Sequence, residues 1–206
     1  IYAAAVGTLL GHGDMRAREL ADKIDNPNRR TEVRQLVDFD FVQQAIRKKS
    51  FTEVVRLIQT GQLSRSQRAS AYTEAARLSL DPKSEQALEL LEKAIQEAQR
   101  IAGDKPDRAL LLTGIANQLI RTDRIRAWEV MGEVGKAANI SEGFTGSNVL
   151  TFQLITRSGM KVISIGGDNF SLATAFKALA KDDIYRAVDL LKSFKYDEPR
   201  ATATLA

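Results

Sequence analysis

The chain repeats itself. Arg16-Ala17-Arg18-Glu19-Leu20-Ala21-Asp22-Lys23-Ile24 matches Arg186-Ala187-Val188-Asp189-Leu190-Leu191-Lys192-Ser193-Phe194 at an offset of 170 residues, and the same register sets Arg30 on Arg200. Between them a small-x-x-aliphatic core recurs as Val54/Leu57, Ala87/Leu90 and Ala127/Val130. Counted from Ala17, the steps are 37, 33, 40 and 60 residues. Three of these lie near the periods of about 33 to 47 residues that mark two-helix repeats, and the last carries roughly 20 to 25 extra residues. A unit of that size cannot bury its apolar face alone, so the pattern demands stacked neighbours and rules out reading each segment as an independent fold.

Each copy sits in a helical pair. Tyr2, Ala5, Val6 and Leu9 recur at three- and four-residue steps, then Gly11-His12-Gly13-Asp14 breaks the pattern. Ala17, Leu20, Ala21 and Ile24 resume it, and Asn26-Pro27 ends it. Apolar residues at that spacing share one face of a helix, so this is helix, tight turn, helix, stop. The same plan predicts helices over Ala71 to Leu80 with Ala87 to Ile101, Leu110 to Ile120 with Ile125 to Ala138, and Leu172 to Ala180 with Ile184 to Phe194. A less regular unit pairs Val33 to Ile46 with Val54 to Ile58. The four prolines, Pro27, Pro82, Pro106 and Pro199, fall in breaks or in a first helical turn, where a missing N–H costs least.

These units resemble tetratricopeptide-type helical hairpins. The carrying residues are the early aromatic or aliphatic of the first helix, Gly13-Asp14 at the turn, Ala17 after it and Asn26-Pro27 at the end. Asp123 before Ala127, and Asp183 before Ala187 with Pro199 beyond, are weaker echoes; the Leu-Gly-x-x-Tyr core is missing. The resemblance implies a superhelical scaffold that binds proteins or peptides along its concave side, and it carries over no catalytic residue. The expected fold is all-α, a right-handed α-solenoid of about five antiparallel helix pairs forming one helical-repeat domain over 1–206. Ile1 is not a start methionine, and Pro199 to Ala206 opens a helix without a C-cap, so the sequence reads as a piece of a longer chain.

One stretch breaks the helical period. Residues 140–168 hold five of the 13 glycines, Gly143, Gly146, Gly159, Gly166 and Gly167. Val149 to Thr156 and Met160 to Ile165 are β-branched or aromatic runs around Arg157-Ser158-Gly159, which predicts a β-hairpin inserted near 149–166. An isolated two-stranded hairpin is marginal in water, so it must fold onto its own helices, the favoured expectation, or pair with another chain. Phe152, Leu154, Ile163 and Ile165 are its candidate interaction residues.

Little catalytic chemistry fits the composition. With no Cys and one His, thiolate nucleophiles, Cys-based metal sites and imidazole clusters are excluded, and no cofactor or metal site is expected. No phosphate-loop, dinucleotide-binding, zinc-protease or nucleophile-elbow string occurs. His12 beside Asp14 reads as part of an inter-helix turn, and Asp182-Asp183 as a turn and N-cap before Ile184. Gly166-Gly167-Asp168 lacks the Lys of a phosphate loop and reads as a turn into the next helix. In Val37-Asp38-Phe39-Asp40-Phe41 the carboxylates lie about 200° apart on a helix and cannot converge on one cation, so they are expected to be solvated or capping groups. Asn139-Ile140-Ser141 and Asn169-Phe170-Ser171 match the glycosylation acceptor, a pattern that matters only in a secretory setting.

Charge is unevenly spread. Residues 16–68 hold 12 Lys/Arg against 7 Asp/Glu, or +5, whereas 69–107 hold 5 against 8, or −3. Arg30 and Arg34 share a helical face, and Arg47, Lys48, Lys49, Arg56, Arg65 and Arg68 cluster nearby in sequence, a stripe that could meet phosphates or an acidic partner. Phe39, Phe41 and Phe51 read as core rather than as base-stacking platforms. No run of about 18 apolar residues is free of charge, so a membrane span is not expected and the chain reads as soluble, with cytoplasm and periplasm or a secreted setting all compatible. The reading is a non-enzymatic helical-repeat scaffold or assembly subunit that holds a protein partner or its own copies. A basic groove for nucleic acid or another polyanion is the alternative, and an accessory domain of a larger enzyme is the third.

Overall fold

The computed structural model of the chain describes residues 2–10, 12–79, 81, 84–156 and 159–205. These form eleven α-helices, one short 3-10 turn and a two-stranded antiparallel sheet. The helices are α1 (Tyr2–Leu9), α2 (Arg16–Asp22), α3 (Pro27–Arg47), α4 (Phe51–Thr60), α5 (Arg65–Leu78), α6 (Glu85–Gln99), α7 (Pro106–Thr122) and α8 (Arg124–Ile140). The strands β1 (Leu150–Thr156) and β2 (Gly159–Ile165) follow, then the 3-10 turn (Asp168–Phe170), α9 (Leu172–Ala180), α10 (Ile184–Lys192) and α11 (Asp197–Thr204).

Helix boundaries follow local chemistry. Pro27 and Pro106 occupy the first position of α3 and α7, where the fixed φ suits the helix and no donor is lost. The third residue of α11 is Pro199, while Pro82 lies outside the described residues. Side chains of Asn26, Ser64, Ser84, Asp123, Ser171 and Asp183 accept the backbone N–H three residues on, each satisfying an orphan donor of a first turn.

The repeat read from the sequence maps onto the even-numbered helices. Ala17, Val54, Ala87, Ala127 and Ala187 sit on α2, α4, α6, α8 and α10, and all five are buried. A small side chain there lets each even helix approach its neighbour closely. The consecutive helices α1 and α2, α3 and α4, α5 and α6, α7 and α8, and α9 and α10 pack on one another. The odd helices also pack in series, α3 on α5, α5 on α7, α7 on α9 and α9 on α11. Their core is aliphatic and dense, with Leu110, Leu111, Leu112, Ile115 and Leu119 of α7 all buried near its middle. Between even helices the links are polar. Arg126 reaches Glu92 from α8 to α6 at 2.8 Å, Gln99 meets Glu133 at 2.8 Å, and Asn139 donates to the Ser193 carbonyl at 2.7 Å.

The insertion does not project into solvent. β1 packs on α1 and α3, β2 on α1, and the 3-10 turn on α7, so both strands and the turn lie against the odd helices. Phe170 rests directly on Gly114, where a Cβ would stand 2.2 Å from its ring, so only glycine admits the contact. Asn117 fixes the same segment by donating to the carbonyls of Asn169 and Ser171, both at 3.1 Å.

Two sequence expectations are corrected here. Asp38 and Asp40 are not solvated: they are 1% and 6% exposed. The carboxylate of Asp38 accepts from Arg18 Nε at 2.7 Å and from the Gln62 N–H at 2.6 Å, with Arg34 Nε at 3.5 Å. Arg18 lies on α2, Arg34 on α3 and Gln62 after α4, so one buried acid joins three elements and its charge is matched by two guanidinium groups. As the spacing required, Asp40 points elsewhere and accepts from Gln44 at 2.7 Å. The second correction concerns the hairpin, whose proposed interaction residues face inward: Leu154 and Ile165 are buried, Phe152 and Ile163 half-buried. Phe152 meets Phe39 edge-to-face with ring centroids 5.0 Å apart. The outward apolar residues are instead Ile155, Met160 and Val162.

Candidate interaction surfaces

The basic stripe is largely taken up by the fold. Arg30 donates to the Ile24 carbonyl at 2.7 Å and the Asp25 carbonyl at 3.2 Å, closing the end of α2. Arg34 pairs with Asp22 and lies against Asp38, Arg56 pairs with Glu53 at 2.6 Å, and Arg65 lies 3.7 Å from Glu97. The Nε of Arg68 is buried without a hydrogen-bond partner. Arg47, Lys48 and Lys49 remain exposed at the end of α3 and form no ion pair among the described residues. Lys49 takes a positive φ of 53° there, the left-handed conformation that ends the helix.

The turn residues serve structure. Asp14 holds Arg16 through its carboxylate at 2.5 to 3.0 Å and accepts the Arg16 N–H at 2.9 Å. Those bonds from Arg16 lower the Asp14 pKa from 3.8 to about 2. His12 is exposed beside it, and Gly11 lies outside the described residues. Asp183 caps α10, while Asp182 bonds Arg124 of α8 at 2.6 Å and accepts from Trp128 Nε1 at 3.4 Å. Arg186 stacks over the same indole, 4.6 Å from its centre. The hydrogen bonds that Arg126 donates to Glu92 and then to Glu129 raise its pKa above the ordinary guanidinium value. Both ends of the Asn139 side chain are engaged, its amide on Ser193 and its oxygen on the Lys195 N–H at 2.6 Å.

Two of the openings among the described residues bear on an interaction surface. The larger, about 430 Å³, lies among α9, α10 and α11 and is floored by Phe176, Ala180, Ala187, Val188 and Ala203, with Lys177 and Lys181 on one wall. Beside it Ile184 is 54% and Tyr185 83% exposed, so α10 shows water large apolar side chains, whereas those of α4 and α6 are at least half-buried. Sequence reading did not single out this surface. Its only signal was the strong amphipathicity of 184–191, which α4 and α6 share. The second opening, about 310 Å³, runs between β1 and helices α3 and α5.

Among the described residues no group of three or more metal-ligating side chains converges, and no helix is long and apolar enough to cross a membrane. No family model matches the chain, and the searches of curated proteins and of solved structures likewise found no match.

Proposed function

We propose that the chain is a non-enzymatic helical-repeat scaffold, built as a right-handed tetratricopeptide-like solenoid, that holds another protein or its own copies. The observation that carries this reading is the serial packing of odd helix on odd helix, with one small buried residue per even helix at repeat spacing. Quasi-linear stacks of this kind offer long surfaces rather than one deep pocket, and binding energy on such surfaces comes from exposed apolar anchors. The groove of α9 to α11 supplies anchors of that kind in Ile184, Tyr185 and Val188. Affinity purification of the full-length protein from its source, with Val188→Asp and a deletion of 145–167 as comparators, tests the reading. A protein partner lost with either variant supports it, recovery of the chain alone points to self-assembly, and a monomer without any partner refutes it.

A polyanion reading rests on Arg47, Lys48 and Lys49, which have no internal ion pair among the described residues. It requires binding that falls steeply between low and high salt and disappears on reversing these three charges.

A further inference from the structure

The slot between the hairpin and the helices runs along an open strand edge. β1 and β2 pair with Thr156 opposite Gly159, leaving two residues in the loop; Arg157 and Ser158, which fill it, lie outside the described residues. In a two-residue hairpin that closing pair exchanges both its backbone bonds, and the pattern alternates along the ladder. The backbone groups of Leu150, Phe152, Leu154 and Thr156 therefore point to β2, and those of Thr151, Gln153 and Ile155 point away from it. One bond confirms the direction: Arg29 donates to the Ile155 carbonyl at 2.9 Å. Arg29 thus closes one end of the edge, while the N–H and C=O groups of Thr151 and Gln153 have no protein partner among the described residues.

The surroundings suit a peptide. Leu36 and Phe152 form an apolar base, and Gln35 and Gln153 bring amides to the walls, while the Gln67 oxygen beside them is held by the Ser64 N–H. Amides both donate and accept, which matches a peptide backbone rather than a charged ligand. The one acid on the rim, Glu32, is neutralised by Arg29 at 3.0 Å. An open edge is a template for pairing unless charge, proline or a bulge blocks it. β2 carries Lys161 as such a guard, and β1 has none between Leu150 and Thr156.

We propose that the β1 edge at Thr151 and Gln153 accepts an extended segment of a protein partner as a third strand, recognised through its main chain with an apolar side chain seated on Leu36 and Phe152. This deepens the scaffold reading and rests on it. A second copy is not the occupant the geometry favours, because its own β1 is turned toward its own helices and only the Lys161-guarded β2 could be offered.

The test uses the full chain and a random 12-residue peptide library displayed on phage. Recovered peptides are synthesised and their affinities measured on the wild type and on Gln153→Pro. Proline is tolerated on an edge strand whose N–H faces away from the ladder, so the hairpin keeps its internal bonds. The expected result is roughly three- to tenfold weaker binding to Gln153→Pro, the scale of one lost backbone hydrogen bond, with the thermal midpoint held. On the wild type, N-methylating the peptide at its pairing residues gives the same loss, a measurement that does not depend on how the variant folds. Hydrogen exchange at the Thr151 and Gln153 amides slows in the complex. Equal affinity for Gln153→Pro, indifference to N-methylation, absence of binding peptides, or dimerisation through this edge would each overturn the proposal. Peptides lost on Val188→Asp but indifferent to Gln153→Pro would overturn the slot while leaving the scaffold reading in place.

Discussion

Replacing Asp38 by alanine is the sharpest test of how this stack is held. The substitution removes the acceptor of Arg18 Nε at 2.7 Å and of the Gln62 N–H at 2.6 Å, and one of the two partners of Arg34. Taking one member from a buried ion pair costs about 3 to 5 kcal/mol because the remaining charge stays desolvated. Here the guanidinium groups are partly wet, with the Arg18 side chain 21% and the Arg34 side chain 16% exposed, and Arg34 keeps Asp22. That places the loss near the lower bound, about 3 kcal/mol, or roughly 6 to 12 °C in Tm for a chain of this size. Urea unfolding followed by far-ultraviolet circular dichroism measures it, with an unchanged slope showing that the unfolded state is comparable. Asp38→Asn keeps an acceptor for both donors and should lose about half as much. A double-mutant cycle with Arg18→Ala should give a coupling of at least about 1 kcal/mol. A loss under about 1 kcal/mol for Asp38→Ala, or no coupling to Arg18, would show that this carboxylate does not join the elements it touches.

Other consequences follow from single contacts. Gly114→Ala puts a methyl into the Phe170 ring and should cost roughly 2 to 3 kcal/mol while releasing 141–171 to limited proteolysis; unchanged cleavage would refute that anchoring. Phe152→Ala breaks the edge-to-face contact with Phe39 and should cost about 2 to 3 kcal/mol, read as a lower denaturation midpoint. The Asp14 carboxyl should titrate with a midpoint near pH 2 in a carbon-detected NMR experiment. Because its folded pKa is depressed, its contribution to stability is present above the unfolded value near 3.8 and is lost as pH falls toward 2. A midpoint near 4 would mean that Arg16 does not hold it.

The helical register was legible because periodicity is a local property. Ala17, Val54, Ala87, Ala127 and Ala187 are buried as their spacing required, and Asp123 and Asp183 cap the helices they precede. The hairpin was equally legible, since alternation, β-branched residues and a glycine at the turn act within a few residues of one another. Alternation also shows that Phe152 and Leu154 share one face and Gln153 and Ile155 the other. It cannot say which face meets the helices, and only the tertiary structure turns Phe152 and Leu154 toward them.

Charge was the least legible signal, because the partners of Arg30, Arg34 and Asp38 are set by how α2, α3 and the α4–α5 link meet. In the sequence Asp38 looks like any helical acid. Burial beside Arg18, 20 residues away, changes it from a solvated group into a joint. Likewise α10 is amphipathic as α4 and α6 are, and only the packing of the helices leaves Ile184, Tyr185 and Val188 uncovered. The sequence by itself determined where helices start, stop and present a small residue, since those depend on neighbours in the chain. Tertiary structure alone decided which charges are spent inside, which hairpin face turns outward and which strand edge stays open, since those depend on contacts between residues far apart.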